Sequence, residues 1–285
     1  MTRRLPSCDT TRAQAPCPGV RVLALATSTE WCSVALLVRE GGELRVDELG
    51  ERAGNEHSRR VLPMARALLA RAGFGFGDLD AIGFDAGPGS FTGIRIGCGV
   101  AQGLGFGLAL PVAAVPSLEA LAWQADSPLV IAAMDARMGE VYLSAYRCSP
   151  GGGDAVATRP SARAPMLVLP AGQAGERIAQ WAVEGGLGGG ARAGAGPGQA
   201  GPVGARMVVV GDAAARYPSL RGHLDSIGVR SIDDTHARAG TVARLTECRL
   251  AGADALDAAL AAPIYVRDKV ALDVDEQRLL RARQA

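Results

Sequence analysis

What most constrains this chain is a pattern that occurs twice. Val20 to Ala26 (VRVLALA) is a compact apolar run of strand length, and Cys32 to Val38 (CSVALLV) follows it after a turn-like TSTE. Gly41-Gly42 breaks the second run, and ELRVDEL then alternates as a third strand, so an antiparallel meander opens the chain. From His57 to Ala72, HSRRVLPMARALLARA places Val61, Ala65, Leu68, Leu69 and Ala72 at helical spacing. Pro63 inside that pattern should start the regular helix or kink it. A short strand from Asp80 to Phe84, a glycine-rich turn and a second helix from about Ser90 to Leu108 complete the unit. Leu129 to Met134 and Glu140 to Tyr146, joined by DARMG, then begin it again as a hairpin. Met166 to Leu169, Gly175 to Val183, Met207 to Val210 and Thr241 to Leu250 follow as strand, helix, strand and helix. The repetition predicts a duplicated α/β lobe, with Pro111 to Ser127 as the hinge.

Composition narrows the function classes. The 285 residues give ample material for a buried core, and 30 basic against 29 acidic residues leave a net charge of +1. A stand-alone RNA or DNA binder usually carries a basic surplus, because phosphate neutralisation supplies most of its affinity. Lys269 is the only lysine, so no phosphate-loop or Schiff-base lysine precedes it. Residues 1–19 lack the apolar core of a signal peptide and are predicted to be a disordered extension. The apolar stretch from Gly97 to Ala114 is broken by Gln102, Pro111 and five glycines, too weak for a membrane span. The six cysteines form no C-x-x-C pair and read as scattered small hydrophobes in a reducing cytosol. Residues 185–204 hold ten glycines and are predicted to form a flexible insert.

The most distinctive stretch is Gly87 to Gly97, GPGSFTGIRIG. Its glycines permit close backbone approach, and Ser90 or Thr92 can cap the following helix. It lacks the lysine of a Walker A loop, and its G-x-G-x-x-x-G spacing is not a dinucleotide fingerprint. An anion site at the helix start and a tight turn with packing glycines both remain open. His57, His223 and His236 include no H-x-x-x-H pair, and His57 reads as a solvated or capping residue. Ser33, Ser90 and the cysteines have no evident partner base, and there is no G-x-S-x-G elbow. Asp135, Arg137 and Glu140 read either as a charged cluster or as groups that satisfy a hairpin turn.

GPGSFTGIRIG running on into GVAQGL, with EHSRRVLPM upstream, DARMGEVY at 135–142 and PIYVR at 263–267, resembles the TsaB (YeaZ) family. The similarity runs from about Val20 to Ala271. These proteins are accessory subunits of the bacterial machinery that makes threonylcarbamoyladenosine in transfer RNA. The resemblance implies an α/β, actin-like and Hsp70-like (ASKHA) two-lobe fold. The first lobe would span 20–115, the second 116–271 with the 185–204 insert, and a tail 272–285. It implies a cytoplasmic, non-catalytic partner and scaffold. The paralogous subunit TsaD would transfer the threonylcarbamoyl group from threonylcarbamoyl-AMP to the N6 amine of the adenosine beside the anticodon. TsaE, a small ATPase, would support turnover.

Several expectations follow from that resemblance. The chain would pair with TsaD as a heterodimer, work with TsaE, form a homodimer when alone, and meet tRNA only through the complex, without any membrane. It would hold no cofactor, metal or catalytic residue of its own, nucleotide and magnesium belonging to the partner subunits. The family's pairing surface lies on the first two helices, here about 57–72 and 90–108. Val61, Ala65, Leu68, Gly93, Ile94, Gly97 and Ala101 are the candidates, the small positions Gly93, Gly97 and Ala101 permitting close helix approach. The family usually keeps an Asp at the end of the first strand, where this chain has Ala26, a departure that argues against nucleotide chemistry. The alternative is an independent nucleotide hydrolase or protease on the same fold. Arg95 and Arg267 belong to the family-like motifs, and each could face a partner, RNA or an internal carboxylate.

Overall fold

The computed structural model describes residues 19–149, 158–183, 207–233, 236–252, 254–255 and 257–266. Most of the 1–19 extension, the 185–204 insert, Arg267 and the 272–285 tail lie outside the described residues. The first sheet is built from β1 (Val20–Ala26), β2 (Trp31–Glu40), β3 (Glu43–Arg52), β4 (Ala81–Gly87) and β5 (Val112–Pro116), ordered β3-β2-β1-β4-β5. β1, β2 and β3 pair antiparallel, whereas β4 and β5 join in parallel. The second sheet comprises β6 (Leu129–Arg137), β7 (Glu140–Arg147), β8 (Ser161–Ala162), β9 (Leu167–Pro170), β10 (Met207–Val210) and β11 (Arg230–Ile232). Its order is β11-β10-β6-β7-β8, with β9 also paired to β7. An antiparallel hairpin extended by two parallel strands on the far side of its first strand thus occurs in both sheets. This is the duplicated α/β architecture expected from the sequence.

Among the described residues seven helices cover the sheets: α1 (His57–Ala72), α2 (Phe91–Leu108), α3 (Ser117–Gln124), α4 (Ala171–Val183), α5 (Ala213–Arg216), α6 (Pro218–Ser226) and α7 (Ala239–Ala251). β1 is apolar and buried from Val22 to Ala26 because both of its faces are covered there. Leu23 and Leu25 join Val34, Leu36, Phe84, Val61, Ala65 and Leu69 on the α1/α2 side. Val22, Ala24 and Ala26 join Val242, Ala243 and Leu245 of α7 on the other. β3 is an edge strand, and its ELRVDELGER alternation places exposed charges where an unpaired edge would otherwise invite another strand.

Four features depart from the sequence reading. Pro111 to Ser127, expected as a hinge, contains β5 and the buried helix α3. α3 follows the first sheet yet packs on the second through Leu118, Leu121 and Ala122, against Val130, Ala132 and Val208. α7 makes the opposite crossing. It follows the second sheet and packs on the first, so a boundary that assigns all of 116–271 to the second lobe does not describe the packing. The crossing is fixed by a buried ion pair in which Arg249 of α7 donates to Glu119 of α3 at 2.7 Å, and by Arg39 of β2 on Glu247 of α7. His57, read as solvated or capping, is buried, its Nε2 lying 3.1 Å from the Trp31 carbonyl. α1 begins at His57 and runs through Pro63 rather than starting there.

Candidate docking site

α1 and α2 lie on the same side of the first sheet, and their inner faces are set by packing. Val61, Ala65, Leu68, Gly93, Ile94, Gly97 and Ala101 are all buried within the chain itself. Their periodicity marks the side of each helix that faces its own sheet. The two glycines among them permit close approach, but to the chain's own β1–β2 turn. A Cβ at Gly93 would lie 2.0 Å from the Thr27 carbonyl oxygen, and one at Gly97 would lie 2.6 Å from Thr27 Oγ1. Thr27 Oγ1 in turn donates to the Gly93 carbonyl at 2.9 Å. None of these seven side chains reaches the outer surface.

The outward face belongs to their neighbours. Gly99, Gly103 and Gly107 recur every four residues on α2, and a Cβ at any of them would meet open space. Phe91 at one end of this stripe is 43% exposed and Phe106 at the other is 62% exposed. Leu62 and Pro63 are exposed on α1. A strap from Asp257 to Val266 runs along α2, where Gln102 Nε2 donates to the Ala261 carbonyl at 2.9 Å and Ile264 N to the Ala86 carbonyl at 2.7 Å. The strap leaves Leu260 and Tyr265 exposed. The i, i+4 spacing of the three glycines between two phenylalanines was the signal for this face, because it runs opposite to the apolar periodicity.

The carboxyl edge of the first sheet is the other place where a ligand would be sought in such a fold. Ala26 carries no carboxylate, but β4 supplies one. Leu25 pairs with Phe84, so the next residue, Asp85, stands level with Ala26 one strand over. Asp85 is fully buried, and its two oxygens accept the Thr27 and Ser28 amides at 3.0 and 3.1 Å. Burial pushes its carboxyl up to about 7, the two N–H bonds pulling against that rise. The turn is also pressed against the start of α2. Ser90 N donates to the Ser28 carbonyl at 2.6 Å, and a Cβ at Gly89 would lie 2.4 Å from that oxygen. Ser90 Oγ caps α2 by accepting Gly93 N at 3.3 Å. The Thr27 and Ser28 amides of this turn are thus taken by Asp85, and the space beside the Ser28 carbonyl by Gly89.

The second sheet carries the counterpart. Asp212, just after β10, accepts the Asp135 amide at 2.8 Å, and burial raises its carboxyl. Asp135 accepts Tyr217 Oη at 2.7 Å and the Arg137 amide at 2.9 Å, and pairs with Arg216 at 2.8 Å. Asp135 and Arg137 therefore order the hairpin, while Glu140 supplies a carbonyl to Tyr217 at 3.3 Å. Burial also pushes the Cys32 thiol up to about 11 and Cys148 to about 12, so neither offers a thiolate near neutrality. Among the described residues no group of three or more His, Cys, Asp or Glu could hold a metal ion, and no helix is long and apolar enough to cross a membrane.

Comparison with known proteins gives the family. The family model described as TsaD, tRNA N6-adenosine threonylcarbamoyltransferase, matches residues 49–271. The tRNA threonylcarbamoyladenosine biosynthesis protein TsaB of Haemophilus influenzae is 50% identical over 127 residues, covering 43% of this chain and 52% of that protein. TsaB of Escherichia coli K12 is 42% identical over 137 residues, covering 47% of this chain and 58% of that protein. The chain thus spans little more than half the length of these curated relatives. YeaZ from Pseudomonas aeruginosa superposes with a TM-score of 0.64 at 32% identity, covering 86% of this chain and 99% of that structure. A second structure from that organism, titled as similar to peptidase YEAZ, has a TM-score of 0.66 at 32% identity and covers 87% of this chain and 100% of that one. With a family match over most of its length and a solved relative aligned nearly end to end, the chain belongs to the TsaD family of proteins, in its TsaB/YeaZ branch.

Proposed function

We propose that this chain is a non-catalytic docking subunit in threonylcarbamoyladenosine formation on tRNA. The outer face of α1 and α2 packs helix to helix on TsaD. TsaD performs the transfer from threonylcarbamoyl-AMP to the adenosine N6 amine beside the anticodon, and TsaE supports turnover. The observation that carries the reading is where exposed apolar bulk is found. Of the six large hydrophobic residues exposed among the described residues, five (Leu62, Phe91, Phe106, Leu260 and Tyr265) belong to α1, α2 and the strap. Such a concentration on one face is the mark of an association surface.

The glycine stripe supports the same reading. A glycine inside an exposed helix costs about 1 kcal/mol relative to alanine, and α2 carries three on one face. A second helix approaching closely over that face would offset the cost by packing against backbone. The seven buried positions support the face from beneath rather than touching the partner. The closed β1–β2 turn, Ser90 spent as a cap and the protonated thiols support a role without chemistry of its own. Nucleotide and magnesium then belong to the partner subunits, tRNA is met through the assembly, and the protein works in the cytoplasm. The same face accounts for self-pairing when the chain is alone.

Light scattering of the chain mixed with TsaD, and reconstitution of the modification with and without the chain, test this. A heterodimer and a requirement for the chain are expected. No association, or full modification in its absence, would contradict the reading.

A further inference from the structure

The two docking helices are charged in one sense only. α1 carries Arg59, Arg60, Arg66 and Arg71, α2 carries Arg95, and neither contains an Asp or Glu. In a chain of net charge +1 the two helices together thus carry five arginines and no carboxylate. Arg59 and Arg60 are partly answered by Glu56 and Glu51, at 3.4 Å in each pair. Arg95 is the only charged residue in the 18 of α2, and among the described residues it pairs with no carboxylate.

Arg95 is nevertheless held in place. Its guanidinium lies 3.4 Å from the centroid of the Phe91 ring and 5.5 Å from that of Tyr265. Its Nε donates to Tyr265 Oη at 2.8 Å. The Nη groups, the two-pronged end of the fork, are left without a protein acceptor among the described residues. Flanking aromatic rings reduce the freedom an arginine side chain loses on binding, and a planar guanidinium fork matches a carboxylate in two-point contact. Aromatic and arginine side chains gathered at one spot are also the composition of interface hot spots.

We propose that Arg95, aligned by Phe91 and Tyr265, anchors the docking face by gripping a carboxylate on the helix that packs over the Gly99–Gly103–Gly107 stripe. The occupant is a partner helix whose facing side carries acidic residues among small or apolar ones. This rests on the docking reading above. A protein helix is favoured over a nucleic acid because the glycine stripe serves backbone-to-backbone approach of a helix, for which a phosphodiester strand has no use. The basic surplus would also steer the encounter, making association faster at low salt.

The test measures the affinity of the full chain for TsaD at low and high salt, with circular dichroism on each variant. Arg95→Gln should weaken binding at least tenfold and flatten its salt dependence, and Arg95→Lys should fall between it and the wild type. Arg95→Glu should be rescued by one Asp or Glu changed to Arg on TsaD. Unchanged affinity for Arg95→Gln, with Gly103→Leu abolishing binding, would overturn the anchor and leave the docking face standing. Unchanged affinity for both would remove the docking face as well. A loss confined to tRNA association by the assembled complex would overturn the carboxylate assignment in favour of a phosphate.

Discussion

The two lobes share one strand order yet differ in what their helices present to the outside. In the second lobe α4 and α6 expose Gln173, Glu176, Gln180, Ser219 and Asp225, an ordinary solvated surface. In the first, α1 and α2 expose Leu62, Phe91, Phe106 and three glycines. Because the topology is common to both, the fold does not demand an apolar outer face. The second lobe serves as an internal control for the first. The strand ends differ in the same sense. Asp85 near the end of β4 and Asp212 just after β10 each accept an amide at the end of the first strand of their sheet, Thr27 just after β1 and Asp135 near the end of β6. Asp85 is fully enclosed against α2, whereas Asp212 is half-buried beside Asp135, Tyr217 and Arg216. The closed strand edge therefore underlies the helix that carries the sticky face.

Substitutions should break this comparison unequally. The largest stability effect is expected for Gly93→Ala, because the new methyl would lie 2.0 Å from a backbone carbonyl that has little room to move. A loss of about 3 kcal/mol in urea denaturation is expected, typical of severe overpacking. Gly99→Ala, one and a half turns along the same helix but facing open space, should instead stabilise by about 0.5–1 kcal/mol. A loss of similar size at both positions would show that the two faces of α2 are not distinct.

Asp85→Asn comes next. The amide can accept only one of the two N–H groups on the turn, so a loss of about 2 kcal/mol is expected at low pH. The folded carboxyl is raised from the usual carboxylate range to about 7. Its contribution is fully present below about 4 and is lost as pH rises through about 7. The wild type should therefore lose stability across that window and the variant should not. Asp212→Asn should flatten the profile less. Equal pH profiles for wild type and Asp85→Asn would show that the carboxyl does not titrate there. The smallest loss, about 1 kcal/mol, is expected for Thr27→Val, which removes the hydroxyl bond to Gly93 while keeping the shape.

The sequence made some of this legible and hid the rest for identifiable reasons. β1, β2, α1, α2 and the β6–β7 hairpin were readable because long apolar runs or clear periodicity fix them. β5 and α3 read as a hinge because VAAVP and SLEALAWQ are short, and Pro111 and Pro116 look like breaks. The crossing of α3 and α7 between lobes could not be read, since chain order does not say which sheet a helix covers. The candidate face was legible only in part. The family resemblance points to α1 and α2, and periodicity within them selects Val61, Ala65, Leu68 and Ile94, the side that packs inward. The outer face is marked by Gly99, Gly103 and Gly107, which hydrophobic patterning passes over because glycine has no side chain to score.

The central claim is that the first lobe's outer helical face holds the partner while the second lobe's does not. The most direct test is a calorimetric titration of TsaD with three proteins: the wild type, Gly103→Leu and Gln173→Leu. Leucine fits open space at both sites, so folding should survive. The account predicts that Gly103→Leu weakens binding a hundredfold or more, about 2.7 kcal/mol, while Gln173→Leu binds as the wild type does. Equal affinity for all three, or a loss confined to Gln173→Leu, would contradict it.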